Sequence, residues 1–284
     1  MSPREDWECV VVGGGVAGLS AALVLGRARR RTLVFDRGGQ SNRAAKHVGG
    51  LLALDGTPPD ELYERATSQI ASYDSVVIRD AEVVEARAEG EGLVLALGDG
   101  GDEVHTQSLI LATGMDYQVP DVPGFADHWG GAVFHCPFCH GWEVRDRTLA
   151  VYADGEMAER LGALARGWSD DVTVVEPGQV ARLRVEGGTV RAVVREDGSE
   201  VECDAVLVHA PMRRRGRLAE ALGLELTEDG RVAVDSLGQT SVPGVYAAGD
   251  LAVAPQQVAI ALGSGHAAGL AATRELLLGR APQA

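Results

Sequence analysis

The stretch His135-Cys136-Pro137-Phe138-Cys139-His140-Gly141-Trp142-Glu143 holds two of the chain's four cysteines, three positions apart, with a histidine on each side. Three chemistries suit that grouping. Two thiols at this spacing can close a local disulfide across a tight turn or a first helical turn, the geometry of dithiol redox sites. Two sulfurs with His135 or His140 could ligate zinc, although the chain shows no second ligand pair of recognisable spacing. Structural thiols without chemistry are the third reading. Pro137 suits the first position of a helix, where an amide hydrogen would be unpaired in any case.

The elements that must position such a site begin near the N-terminus, in "WECVVVGGGVAGLSAALVLGRARRRTLVFDRGG". Val10 to Val12 read as a buried strand, Gly13 to Gly18 as a turn into a helix, and Thr32 to Phe35 as the next strand. Gly13 permits the tight turn, Gly15 lets a pyrophosphate approach the backbone, and Gly18 lets helix and strand pack closely. The helix N-terminus offers unpaired amides to phosphate. Asp36 ends the second strand, where a carboxylate accepts hydrogen bonds from an adenosine ribose. The pattern predicts a bound dinucleotide without telling FAD from NAD.

The same domain resumes late in the chain. "SLILATG", Ser108 to Gly114, reads as a strand ending in a small-residue turn, and "SVPGVYAAGD", Ser241 to Asp250, as a turn, a short strand and a ligand loop. Gln256 to Leu278 is rich in Ala, Leu and Gly and predicts a closely packed helix. Taken alone, Asp250 has a second reading as a helix cap.

The Gly13–Gly18 fingerprint, "ILATG", Cys136-x-x-Cys139 and "GVYAAGD" occur in an order that resembles the low-molecular-weight thioredoxin reductase family of two-domain flavoproteins. The resemblance covers nearly the whole chain. It implies an α/β, two-domain pyridine nucleotide-disulfide oxidoreductase-like fold: a Rossmann-type FAD domain from residues 1–115 and 241–284, and an NAD(P)-like domain from 116–240 carrying the cysteines. It implies FAD held by Gly13, Gly15, Gly18, Asp36, Gly249 and Asp250, a homodimer, Cys139 as the flavin-facing sulfur and Cys136 as the exchange sulfur. With flavin motifs present, no metal is expected.

The middle domain keeps a βαβ pattern, with strands over Thr148–Tyr152 and Asp171–Val175 around a helix over Glu156–Arg166. Its turn, however, reads Ala153-Asp154-Gly155-Glu156-Met157-Ala158 where Gly-x-Gly-x-x-Ala is expected, and two carboxylates oppose a pyrophosphate there. Glu176-Pro177-Gly178 follows the second strand, whereas thioredoxin reductases carry a histidine and paired arginines at that place to receive the 2′-phosphate of NADPH; Glu176 could bind an unphosphorylated ribose but would repel the extra phosphate. Arg182 and Arg184 compensate only if the fold turns them back. The expectation is a degenerate module that has lost nucleotide function and serves as scaffold. The run Arg213-Arg214-Arg215-Gly216-Arg217 could bind an anionic substrate or make an interdomain or dimer contact, and reads by default as a solvated face.

A second resemblance turns on His140, which stands where thioredoxin reductases have an aspartate. "CPFCHGWE", with "HVGGLLALDGTPPDEL" from His47 and "VHAPMRRRGRLAEALGL" from Val208, is similar to the dithiol oxidases of gliotoxin-type and holomycin-type natural-product biosynthesis, including antibiotic pathways. That similarity implies an FAD-dependent thiol:oxygen oxidoreductase. It would close an intramolecular disulfide in a small-molecule dithiol, with molecular oxygen as terminal acceptor and hydrogen peroxide as product. His140 would be the base on the substrate thiol. His135 would orient His140 or the substrate, or would be structural. The alternatives are an NADPH-dependent thioredoxin or small-disulfide reductase, and a nonenzymatic flavin-dithiol redox sensor.

Whole-chain properties bound these readings. With 284 residues, 45% of them hydrophobic, the chain can bury a substantial core and divide in two. A net charge of −15 disfavours a nucleic-acid partner or adsorption to anionic membranes. The sequence shows neither a signal-peptide pattern nor an apolar run of membrane-spanning length, so a cytoplasmic protein is expected.

Overall fold

The computed structural model describes residues 5–98, 100 and 103–279. The chain forms two compact units: one of residues up to Ser41, Asp60–Asp116 and Arg213 onward, the other of Asn42–Pro59 and Tyr117–Met212.

In the first unit, β1 (Glu5–Val12) is followed by α1 (Val16–Arg27) and β2 (Thr32–Phe35), then α2 (Pro59–Ile70), β3 (Val76–Arg79), β4 (Val83–Glu89), β5 (Gly92–Leu97) and β6 (Val104–Leu111). The main sheet has the order β3-β2-β1-β6-β5-β4. β1 pairs parallel with β2 and β6, and β2 pairs parallel with β3. Strands covered on both faces read as continuous apolar runs, which is why Cys9-Val10-Val11-Val12 and Leu33-Val34-Phe35 are buried throughout. The outer edge of β6 is shared. Its first half takes the antiparallel β5, and its second half takes the late strand β16 (Val245–Ala247) in parallel. That pairing explains how "GVYAAGD" returns to the first domain.

In the second unit, β8 (Val133–Phe134), β9 (Leu149–Tyr152), β10 (Val172–Val175) and β14 (Ala205–Val208) make a parallel sheet ordered β10-β9-β14-β8. The helix α3 (Pro137–His140) follows β8, and α4 (Gly155–Ala165) links β9 to β10. β11 (Val180–Glu186), β12 (Thr189–Arg195) and β13 (Glu200–Glu202) form an antiparallel meander. Phe125, Val133, Tyr152, Val193 and Val206 fill a core between these sheets, with the Phe125 and Tyr152 rings edge-on at 5.1 Å. A ribbon of β7 (Met115–Tyr117) and β15 (Met212–Arg214), then α5 (Leu218–Ala221) and α6 (Val258–Leu278), complete the element order.

The compact units divide the chain differently from the expected 116–240 insert. Residues 213–240 lie with the first unit because Leu218, Ala219, Leu224 and Val232 pack into the same core as Trp7, Val10 and Leu109. Residues 42–59 lie with the second unit, where Gly49 sits directly against the Cys139 carbonyl. The arginine run is a packing device. Arg214 pairs with Glu220 at 2.5 Å and donates to the Gly230 carbonyl, and Arg215 donates to Asp116 at 2.6 Å and to Ser41 at 3.1 Å. Among the described residues, no helix is long and apolar enough to cross a membrane.

Candidate functional site

The dinucleotide cradle belongs to the first unit. Gly13 has φ of +114°, and a side chain there would overlap the Ala112 carbonyl, so the turn out of β1 requires glycine. A side chain at Gly18 would strike the Gly13 carbonyl, which fixes how closely α1 approaches β1. Gly15 caps α1 without any side-chain hydrogen bond, and the space its Cβ would occupy is open. The first turn of α1 holds no acidic residue, so its unpaired amides keep their field.

Asp36 follows β2. Gly38 N–H donates to its carboxylate at 2.9 Å and Gln40 Nε2 donates to both oxygens at 3.2 and 3.0 Å, which hold it in one orientation. Gly249 has φ of +69° and donates its N–H to Ser264 Oγ at 2.9 Å. Beside it, burial raises the Asp250 carboxyl to about 6, against the opposing pull of Arg215. An open backbone cradle, a braced carboxylate and a second glycine-acid loop in one unit fit the pyrophosphate and ribose of FAD.

The second unit carries the sulfur site. Cys136 and Cys139 form a disulfide, with their Cα atoms 5.3 Å apart. Cys136 caps α3 and Pro137 opens it, as the sequence predicts. The amides of Cys139 and His140 both donate to the Cys136 carbonyl, at 3.1 and 3.2 Å, and this turn brings the two sulfurs together. Both cysteines are half-buried, so exposure alone does not separate an exchange sulfur from a flavin-facing one. Cys9 and Cys203 are free and buried, and burial pushes each thiol up to about 12, which leaves them unreactive. Among the described residues, no group of three or more His, Cys, Asp or Glu side chains is placed to hold a metal ion.

The two flanking histidines differ. His140 stacks on Phe134 with ring centroids 5.6 Å apart, and neither ring nitrogen makes a hydrogen bond of normal geometry. Burial lowers its pKa; the Cys136 and Gly130 carbonyls and Glu143 pull the other way, and His47 adds to the lowering. A neutral imidazole beside the disulfide can take a proton from a thiol and return it. His135 packs against both Tyr117 and Trp129, with centroids at 4.0 and 5.5 Å, and burial followed by the charge of His140 lowers it to about 4. Its surroundings are those of a packed ring.

One polar pair escaped the sequence reading. His47 Nε2 and Glu143 Oε1 lie 3.1 Å apart, beside His140. Glu143 closes the stretch around the cysteines and His47 opens one of the stretches that carry the dithiol-oxidase resemblance, so both residues had a signal; their pairing had none.

The β9-α4-β10 module is intact. Asp154 caps α4 without a side-chain hydrogen bond, Glu156 lies in its first turn, and Glu176 follows β10. All three acids are exposed. Arg184 is committed to Glu186, Glu200 and Glu202, the last two at 3.0 and 2.7 Å, and Arg182 donates to the Leu183 carbonyl at 3.3 Å. Neither arginine turns back to supply the cation for a 2′-phosphate.

The chain matches the family model for pyridine nucleotide-disulphide oxidoreductases over residues 7–180 and 142–265. It is similar to the thioredoxin reductase tcpT of Claviceps purpurea, 32% identical over 98% of this chain and 96% of that one. It is equally similar to the thioredoxin reductase sirT of Leptosphaeria maculans, 33% identical over 93% and 92%. Among solved structures, HlmI superposes with a TM-score of 0.91 at 35% identity, covering 98% of this chain and 94% of the other.

These relatives correct the narrower expectation. Proteins matched across nearly the whole chain are described as thioredoxin reductases, which overturns the reading as an oxygen-using dithiol oxidase of natural-product or antibiotic biosynthesis. The small-molecule dithiol, oxygen as acceptor and peroxide as product fall with it. His140 does not set the direction of electron flow, since an imidazole beside a disulfide serves proton transfer in either direction. The fold and cofactor stand: FAD is bound by a Rossmann domain within an α/β two-domain fold. The chain belongs to the pyridine nucleotide-disulphide oxidoreductase family, as a thioredoxin-reductase-like flavoprotein.

Proposed function

We propose that the chain is a pyridine-nucleotide-dependent thioredoxin or disulfide reductase, of the class for which NADPH is the expected reductant. It passes two electrons to Cys136–Cys139 and from that dithiol to a disulfide on a thioredoxin-type protein or small molecule. The observation that carries this reading is the Cys136–Cys139 disulfide across the first turn of α3 beside His140, in a chain that keeps both the FAD cradle and the βαβ module. FAD, when bound, supplies the two-electron relay between nicotinamide and disulfide. In this reading Gly13, Gly15, Gly18, Asp36, Gly249 and Asp250 hold it.

The protein's own part is thiol chemistry. Neutral His140 takes the proton of the Cys136 thiol, and the thiolate attacks one sulfur of the substrate disulfide. That sulfur bonds to Cys136, and its former partner leaves as a thiolate that recovers the proton from His140. Cys139 then gives up its proton to His140, and its thiolate attacks Cys136, closing the protein disulfide and expelling the second substrate sulfur as a thiolate that takes that proton back from His140. Two electrons pass from the dithiol to the substrate, and each broken S–S bond is replaced. His135 is assigned packing against Tyr117 and Trp129.

The test is turnover of oxidised thioredoxin and of a small aromatic disulfide with reduced nucleotide as electron source. Cys136→Ser and Cys139→Ser should each lose turnover by more than about 10³-fold while retaining FAD. His140→Asn should lose about 10²-fold, within the ordinary range for general acid-base catalysis. Full turnover by Cys136→Ser contradicts the assignment.

A further inference from the structure

The charges around the β9-α4-β10 module are not those of a site for a phosphorylated ribose. In a parallel βαβ unit, the residue after the second strand faces the adenosine ribose; a carboxylate accepts hydrogen bonds from its hydroxyls, whereas a cation is needed to receive a 2′-phosphate. Here that residue is Glu176. Its exposed carboxylate is steadied by Gln179 Nε2, which donates to Oε2 at 3.0 Å, and Gln179 N–H donates to the Glu176 carbonyl at 3.0 Å. The brace is local to the Glu176-Pro177-Gly178-Gln179 turn, so the carboxylate stays at the end of β10.

Of the arginines on the adjoining strands, Arg184 is neutralised by the carboxylates of Glu186, Glu200 and Glu202, and Arg182 and Arg195 donate to neutral acceptors away from Glu176, the Leu183 carbonyl and Ser199 Oγ, each at 3.3 Å. Asp154 and Glu156, exposed at the start of α4, would face the pyrophosphate that both dinucleotides share, so the discrimination rests on Glu176. A ribose hydroxyl would meet an acceptor at Glu176, and a phosphate dianion would meet a like charge there, with Arg184 held by its own carboxylates.

We infer that this module selects a nicotinamide dinucleotide with a free ribose 2′-hydroxyl, so that NADH is a better reductant than NADPH. The inference rests on the proposed reductase function and names the reductant of that reading. Across a few ångströms of solvent, a carboxylate facing a doubly charged phosphate gives a discrimination of about tenfold or more.

Two measurements on the FAD-loaded protein test it. Calorimetric titration with NAD⁺ and NADP⁺ should show NAD⁺ binding more tightly, and Glu176→Arg should move the ratio of affinities at least about tenfold toward NADP⁺. Glu176→Gln should move it part of the way and keeps the proposal testable should the arginine variant misfold. NADP⁺ binding more tightly to the unsubstituted protein, a ratio unmoved in folded variants, or binding of neither dinucleotide each overturns it. The second measurement is anaerobic bleaching of the flavin by NADH and by NADPH. Selective NAD⁺ binding with a flavin that neither reduced nucleotide bleaches leaves the selectivity standing and removes the reductase reading.

Discussion

At His135 the sequence offers a ring that orients His140 or the substrate or is structural, and in the structure it packs against Tyr117 and Trp129. Burial against Tyr117 and Trp129 lowers its pKa from the ordinary 6.5 to about 4. Between those values the unfolded chain binds the proton and the folded chain does not, so acid favours unfolding. The stability tied to this neutral ring is fully present above about pH 7. It falls as pH drops from 6.5 toward 4, by a total on the order of 3 kcal/mol. His135→Phe keeps a flat ring against the same neighbours; in denaturant titrations at pH 7.5 and pH 5 it should show a clearly smaller loss on acidification than the parent. An unchanged loss would place the acid sensitivity elsewhere. At this scale the cysteine pair, Pro137 as first helical residue and His140 were legible, because each depends on local spacing. The approach of His47 to Glu143 depends on how residues 42–59 fold back, which no local pattern encodes.

Among the elements, α1 and α6 show how the cradle is held. Ala17, Ala21 and Val24 of α1 meet Gly265 and Gly269 of α6, and a side chain at Gly265 would overlap the Ala17 backbone. This contact sits one turn from Gly15, so it sets the place of the phosphate-facing N-terminus. Gly265→Ala should lower stability by about 1–3 kcal/mol, the usual cost of overpacking a close contact, and loosen FAD. Gly263, exposed on the same helix with open space around it, is the matched control. Gly263→Ala should gain about 0.5–1 kcal/mol from helix propensity. Thermal melts with and without added FAD compare the two, and equal effects would contradict the packing account. The two βαβ units were legible because parallel buried strands are continuous apolar runs. The 240/241 boundary was not, because 213–240 holds mostly short irregular structure whose membership is decided by the tertiary packing of Leu218, Leu224 and Val232.

For the whole molecule, the direction of electron flow is what sequence motifs conveyed least well. A dithiol, a flavin cradle and an imidazole are the same parts whether electrons enter through sulfur or leave through it. The acids at Asp154, Glu156 and Glu176 suggested a module without nucleotide; the intact parallel β9-α4-β10 unit and the thioredoxin reductase relatives favour a module that still serves as the entry for electrons. The most direct test is an anaerobic stopped-flow comparison in which the oxidised, FAD-loaded protein is mixed with NADH, with NADPH or with a small reduced dithiol. The account predicts rapid bleaching of the flavin by reduced nucleotide, and recovery of its colour on adding oxidised thioredoxin or a small disulfide only when Cys136 and Cys139 are both present. A flavin that stays oxidised with both nucleotides while a small dithiol reduces it rapidly would contradict the account.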